Sequence, residues 1–398
     1  MFEPSRIISG TVLFFLLHVA LEPAARSQGT PGVTDQEIVI GSCSALEGPS
    51  KFLGTSTVTG ANAYFAMVND AGGVEGRKLR LVSSNDSYDP EKAQDCFDKL
   101  MSQKVFALAF FVGTPTALKY LPLAESNKIP LVGLFTGAQT LYQPLRHWVI
   151  NVRASYFDET REQIDGFWNA LGYRKFGVIY PQDSFGAAVL EGVKAALQAH
   201  GSEPVAVASY QRQTVLVDGA IDIVRRAQPD AVIVVGPSNT VAPILKQAHS
   251  KGWRPLFSTV SFVGTDELIS QAGQDAEGVV VTQVVQPYYL TDFKAVTLFR
   301  RALQNYYPGV QANFVSFEGF VDAMVLVEGL KRAGKDLTRE GLIHGLESIH
   351  EMDLGLGPQL KLDYGAHDHK GFDHVVPTVI RGGRPVPFTD WTMVAAKQ

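Results

Sequence analysis

Residues 110–116, FFVGTPT, bring an apolar run to an abrupt stop in a glycine, two hydroxyls and a proline. Pro115 suits the first position of a helix, and Thr114 before it suits the N-cap. A helix N-terminus carries unpaired N–H donors and the positive end of the peptide dipole, so it holds an anion without a full cation. Gly113, Thr114 and Thr116 thus have two possible duties, routine capping and seating an anionic group, and the spacing leaves both open.

Catalytic and metal chemistry find less support. No G-x-G-x-x-G follows a strand, and no Walker A sequence, G-x-S-x-G elbow or H-E-x-x-H occurs. His367, His369 and His374 cluster with Asp363, Asp368 and Asp373, but solvated turn residues explain them better than a metal site. His344, Glu347 and His350 stand at i, i+3 and i+6, poor spacing for one ligand face. We therefore expect no enzyme, no cofactor and no bound metal. The aromatic stripe Phe314, Phe317, Phe320 and the pair Tyr288-Tyr289 read as packing.

The elements that must position the 110–116 loop alternate along the chain. Strands are expected at 37–46, 78–84, 104–112 and 129–135, with Asp89 capping a helix that opens on Pro90. A second set follows: helices at 157–171, 184–199, 217–227 and 239–251, and strands at 175–181, 204–210, 230–236, 255–260 and 278–285. Short, nearly all-apolar strands between amphipathic helices indicate parallel sheets covered on both faces. Adjacent Phe110 and Phe111 face opposite sides of such a sheet. The spacing predicts an α/β fold of two doubly wound parallel-sheet lobes joined by a multi-segment hinge. Residues 33–153 with 286–358 form the first lobe, and 154–285 with 359–398 form the second. A β-hairpin over 359–383 closes the chain. Ligands of open α/β sheets bind beyond the carboxyl ends of the strands, so the cleft between the lobes is the expected site.

With 398 residues, 45% hydrophobic and 19% charged, the chain has ample core, and a net charge of −5 without a basic stripe argues against nucleic acid. Its first 27 residues read as a secretory signal peptide: Arg6, an apolar run over 7–21, then Ala25-Arg26-Ser27 before a cleavage site. No cysteine follows the apolar run, so no lipid anchor is expected, and the mature chain reads as soluble and exported. Its two cysteines, Cys43 and Cys96, permit a disulfide in that compartment, with two buried thiols as the alternative.

Specific wording then points to a family. LEGPSKFLGTSTVTGANAYFAMVNDAGGVEGRKLRLVSSNDSYDP (46–90), and within it NDAGGVEGRKL, closely resembles the N-terminal segment of the Leu/Ile/Val-binding proteins, type I periplasmic solute-binding proteins. VIYPQDSFGAAVLEGVKAAL and SQAGQDAEGVVVT extend the likeness over about residues 35–382. The resemblance implies capture of a small-molecule ligand between hinged lobes and its delivery to a membrane permease of the ATP-binding-cassette (ABC) type. It further implies a carboxylate site at Gly113, Thr114 and Thr116 and at Phe135, Thr136 and Gly137. Phe185 and Ser238 face it across the cleft.

Two positions depart from the family pattern. Leu53 stands where an aromatic covers the ligand, and Ser261 near the acid that pairs with an amino acid's ammonium. An ammonium buried without its countercharge is costly. The expected ligand is therefore an uncharged or carboxylate-only solute, aromatic or aliphatic. A branched-chain amino acid, a lipid or sterol, or a sensing role beside a membrane receptor stand as alternatives.

Overall fold

A computed structural model describes residues 1–4 and 29–395; the signal-peptide residues Arg6 to Ser27 lie outside the described residues. In the first half, β1 (Glu37–Ser44), α1 (Lys51–Asp70), β2 (Lys78–Asn85), α2 (Ala93–Ser102), β3 (Ala107–Ala109), α3 (Thr114–Ser126), β4 (Leu131–Val132) and β5 (Val149–Ile150) alternate. The strands form one parallel sheet in the order β2-β1-β3-β4-β5. The pattern restarts with α4 (Tyr156–Leu171), β6 (Phe176–Pro181), α5 (Ser184–Ala199), β7 (Ala206–Tyr210) and α6 (Asp218–Arg226). It continues through β8 (Ala231–Val234), α7 (Ser238–Ser250), β9 (Leu256–Val260), α8 (Thr265–Ala272) and β10 (Val280–Gln283). The chain ends in α9 (Lys294–Tyr306), α10 (Phe314–Ala333), α11 (Arg339–Glu347), β11 (Met352–Asp353), β12 (Lys361–Leu362), β13 (Val376–Arg381) and β14 (Arg384–Pro387). The second sheet runs β14-β13-β10-β9-β8-β6-β7, parallel except for the antiparallel β13 and β14 at one edge.

Two predicted strands are much shorter than their apolar runs, for a backbone reason. Phe110 takes φ +64°, the left-handed region, which halts β3 at Ala109, and the Ser44 hydroxyl holds its carbonyl at 2.8 Å. Gly133 at φ +61° likewise ends β4. Thr114 is not the N-cap of α3: Gly113 occupies that position at φ +94°, and no side chain caps the helix. The hairpin expected over 359–383 also differs. β12 pairs with β11, and the hairpin is β13–β14, turning at Gly382-Gly383, both at positive φ. Leu360, Leu362, Tyr364 and Phe372, assigned with the second lobe on sequence, pack in the core that contains α10 before β13 joins the second sheet. Phe110 and Phe111 enter different cores, as expected, although both lie beyond the end of β3.

Helix α10 packs along α1 at close range. A Cβ on Gly60 would overlap the Ser316 carbonyl, and one on Gly319 the Thr57 carbonyl. Gly60→Ala should cost roughly 1–3 kcal/mol by overpacking, read as a lower denaturant midpoint at unchanged slope. This close approach helps position Glu318 and Asp322 of α10. The cysteines form a disulfide, Cys43 to Cys96, tying β1 to α2.

Candidate ligand-binding cleft

Loops at the carboxyl ends of the strands meet where the two lobes face each other. One apolar cluster passes from Leu53, Tyr88, Phe111 and Phe135 of the first lobe into Phe185, Val260 and Phe262 of the second. Phe262 is its hub, with ring centroids 4.5 Å from Phe185, 5.6 Å from Phe135 and 5.7 Å from Tyr88. Tyr156 completes the wall at 5.4 Å from Phe185. Leu53 reaches across as well, its Cδ2 close beside Gly264.

The two first-lobe loops lie side by side. Gly113 N–H donates to the Phe135 carbonyl at 3.1 Å, and Phe135 N–H to that of Phe111 at 2.7 Å. Thr136 N–H turns back on Leu134. The backbone donors of Gly113, Phe135 and Thr136 are therefore engaged within the protein. Side-chain hydroxyls remain: Thr114 and Thr136 share a hydrogen bond at 2.7 Å, and Thr136 and the Tyr156 hydroxyl share one at 3.2 Å. Thr116 instead donates to the Val112 and Gly113 carbonyls, so it is a brace for the helix start. Gly137 accepts from Tyr156 N–H, which starts α4 against this loop. Ser238 opens α7, but its neighbours Pro237 and Asn239, rather than Ser238, line a cavity of about 10 Å³ with Tyr88, Asp183, Phe185 and Arg212. Asp183, the N-cap of α5, faces Arg212 at 2.9 Å, and Arg212 lies over the Tyr88 ring. The Tyr88 hydroxyl and Asn239 Oδ1 are buried without a partner among the described residues.

A charged cluster that the sequence reading missed lies beneath the aromatics. Arg153, in the segment crossing from β5 to α4, is 2% exposed and sits over the rings of Phe135 and Tyr156. Its guanidinium binds Glu318 at 3.0 Å, Glu159 at 2.9 Å and the Ser261 hydroxyl. Glu159 also accepts from Ser261 N–H at 2.7 Å, the Ser261 hydroxyl at 2.9 Å and the Thr282 hydroxyl at 2.8 Å. Burial alone would lower the Arg153 guanidinium, but the facing carboxylates Glu318 and Glu159 outweigh it and raise its pKa. Burial raises Glu159 despite Arg153 and its other donors, and pushes Glu318 up to about 7 against the pull of Arg153. Asp322, buried one helical turn beyond Glu318, is raised well above the usual carboxylate range by burial and then by Glu318. The signals were present in the sequence: a lone cation in VINVRASYF, and two acids at i, i+4 in FVSFEGFVDAMVLV.

The C-terminal histidines disperse into separate contacts: His369 is buried against Glu347 and two backbone carbonyls, and His350 pairs with Asp363.

A family profile described as periplasmic binding protein matches residues 37–381. The chain belongs to this family. This periplasmic binding protein is similar over 93% of its length, at 30% identity and a TM-score of 0.86, to a possible leucine/isoleucine/valine-binding protein from Rhodopirellula baltica SH 1, all of which is covered. An amino acid binding protein of Pseudomonas aeruginosa is 25% identical over 266 residues, 65% of this chain and 70% of that protein. A fatty acid ABC transporter substrate-binding protein from Thermomonospora curvata shares the fold at 22% identity and TM-score 0.83, over 91% of this chain and 94% of the other. The periplasmic binding protein is thus of the Leu/Ile/Val-binding type, with the two-lobed α/β architecture of a solute-binding component of ABC transporters.

Proposed function

We propose that this protein, exported and cleaved near Ser27, captures an apolar or aromatic carboxylate as a monomer. It holds the solute between its lobes and presents it to an ABC permease. The lobes move about the crossings near 153, near 286 and beyond 358. The observation that carries the ligand class is the Arg153 guanidinium beside the Thr114–Thr136–Tyr156 hydroxyl chain, under a wall of Phe135, Phe185 and Phe262. A carboxylate finds a cation and hydroxyl donors there, and its apolar remainder finds aromatic rings. Leu53, Gly113, Gly137, Ser238 and Ser261 shape the surrounding loops. The fatty acid named for the Thermomonospora curvata protein is likewise an acid without an amine.

A branched-chain amino acid is the second reading, favoured by one observation and by the name of the Rhodopirellula baltica protein, the Pseudomonas aeruginosa name giving only an amino acid. Glu159 brings a carboxylate to Ser261, where an acid for an ammonium was missing. That carboxylate already accepts from Arg153, Thr282 and both donors of Ser261, so it has little capacity left for an ammonium. Arg153 would also repel the ammonium.

Three matched probes test the reading: 4-methylpentanoate, leucine, and 3-methylbutylamine, assayed by thermal shift and calorimetry, with phenylacetate as an aromatic acid. The acids should stabilise the protein, leucine less than 4-methylpentanoate, and the amine not at all. Leucine binding without any response to the two acids refutes the carboxylate reading. Thr114→Val should weaken a bound acid by roughly 1–3 kcal/mol through loss of a charge-assisted hydrogen bond. An unchanged affinity would reduce that loop to a structural brace.

A further inference from the structure

One cation, Arg153, serves three carboxylates in the buried cluster, and the three are not equivalent. Glu159 of α4 receives four donors, which favour its charged form against burial. Asp322 Oδ2 has no partner among the described residues, an arrangement that suits a neutral acid. Glu318 lies between these extremes, with Arg153 as its one donor among the described residues. Both Nη atoms of Arg153 are engaged, but its Nε is buried without a partner among the described residues, a donor left for a further acceptor. Of the other titratable groups, the Tyr142 hydroxyl faces Glu318, that of Tyr156 faces Arg153 and Glu159, and Tyr364 faces Asp322. Burial raises all three phenols, so they stay neutral.

We propose that Glu318 is a proton switch for solute binding: a carboxylate seated on Arg153 takes over its guanidinium, and Glu318 accepts one proton from solvent as the solute enters. This rests on the carboxylate reading above. The physical reason is charge balance. Glu159, Glu318 and a solute carboxylate around one guanidinium would put one more negative charge in a dry site than the free cluster holds, and protonating the least-supported acid offsets that added charge. Glu318 is poised for this because burial holds it near neutrality in the free protein. A cationic solute would do the reverse and release a proton. The direction of proton exchange therefore reports the charge class that the cleft selects.

The test is calorimetric titration of 4-methylpentanoate and phenylacetate into the full mature protein from pH 6 to 8.5, in phosphate and in Tris. Above about pH 7, one proton taken up should weaken binding roughly tenfold per pH unit, and below it the affinity should level off. At pH 8 the heats in the two buffers should differ by the ionisation heat of about one proton. Glu318→Gln should abolish both effects and bind the acids at pH 8.5 roughly thirtyfold tighter than the wild type. Binding of unchanged affinity across this range, with equal heats in both buffers, overturns the switch while leaving the carboxylate reading intact. If neither acid binds at any pH, the carboxylate reading fails, and the proton is read in the free protein instead. The folded Glu318 keeps a proton that the unfolded chain gives up, so its own contribution to wild-type stability should fall as pH rises from about 5 to about 7 and then level off. Glu318→Gln, or Glu318→Ala should glutamine fail to fold, should lose that slope; a slope unchanged in the variant also overturns the switch.

Discussion

Arg153→Met should destabilise the protein by roughly 3–5 kcal/mol at pH 7, the cost of removing one partner from a buried ion cluster. The methionine fills much of the volume, so the loss is electrostatic rather than a cavity effect. Glu159 would be left as an anion in a dry interior with only hydroxyl and backbone donors, while Glu318, raised further without Arg153, would take up a proton. Two signatures separate this from ordinary core damage. The loss should shrink toward pH 5, because protonation removes the stranded charge, and it should shrink in Arg153→Met/Glu159→Gln, where that group is already neutral. Arg153→Lys should recover only part, since an ammonium cannot fork to two carboxylates in fixed geometry. Urea denaturation across pH measures all four proteins. A single variant that loses less than about 1 kcal/mol at pH 7, with no pH trend, would show that the cluster is not ionic.

Breaking the disulfide should be of similar size. Cys43 and Cys96 are separated by 53 positions, and closing a loop of that length restricts the unfolded chain by about 4 kcal/mol on the loop-entropy account. Cys43→Ser/Cys96→Ser and the reduced wild type should therefore unfold at the same, lower denaturant concentration. The buried serines add a desolvation cost only to the variant, so any excess loss there measures that cost. Reduction that shifts stability by less than about 1 kcal/mol would mean that the unfolded chain is already compact around β1 and α2.

Much of the architecture was legible because its signals are local. Helix α5 spans 184–199, the range its apolar spacing indicates, and Asp183 caps it through Gly186 N–H. Asp89 likewise caps the turn that opens on Pro90. Strand lengths were less legible: the runs 104–112 and 129–135 are apolar throughout, yet Phe110 and Gly133 turn out of the extended region and end pairing early. The two threonine loops were legible as strand ends facing a cleft. The engagement of their backbone donors was not, because those bonds join loops some twenty residues apart.

By itself, then, the sequence determined two α/β lobes and a hydroxyl-rich loop at a strand's carboxyl end, each written in residue types at short spacing. Only the tertiary structure decided the electrostatics of the cleft. Arg153 and Glu318 are 165 positions apart, and Arg153 and Ser261 are 108 apart. Each looks like an isolated polar residue until α10 settles against α1 and the lobes meet. A charge's meaning depends on its burial and on what faces it, and both arise from contacts between distant segments. That is why Ser261 read as a missing acid, and why the fold supplies one from Glu159 with a cation already bound to it.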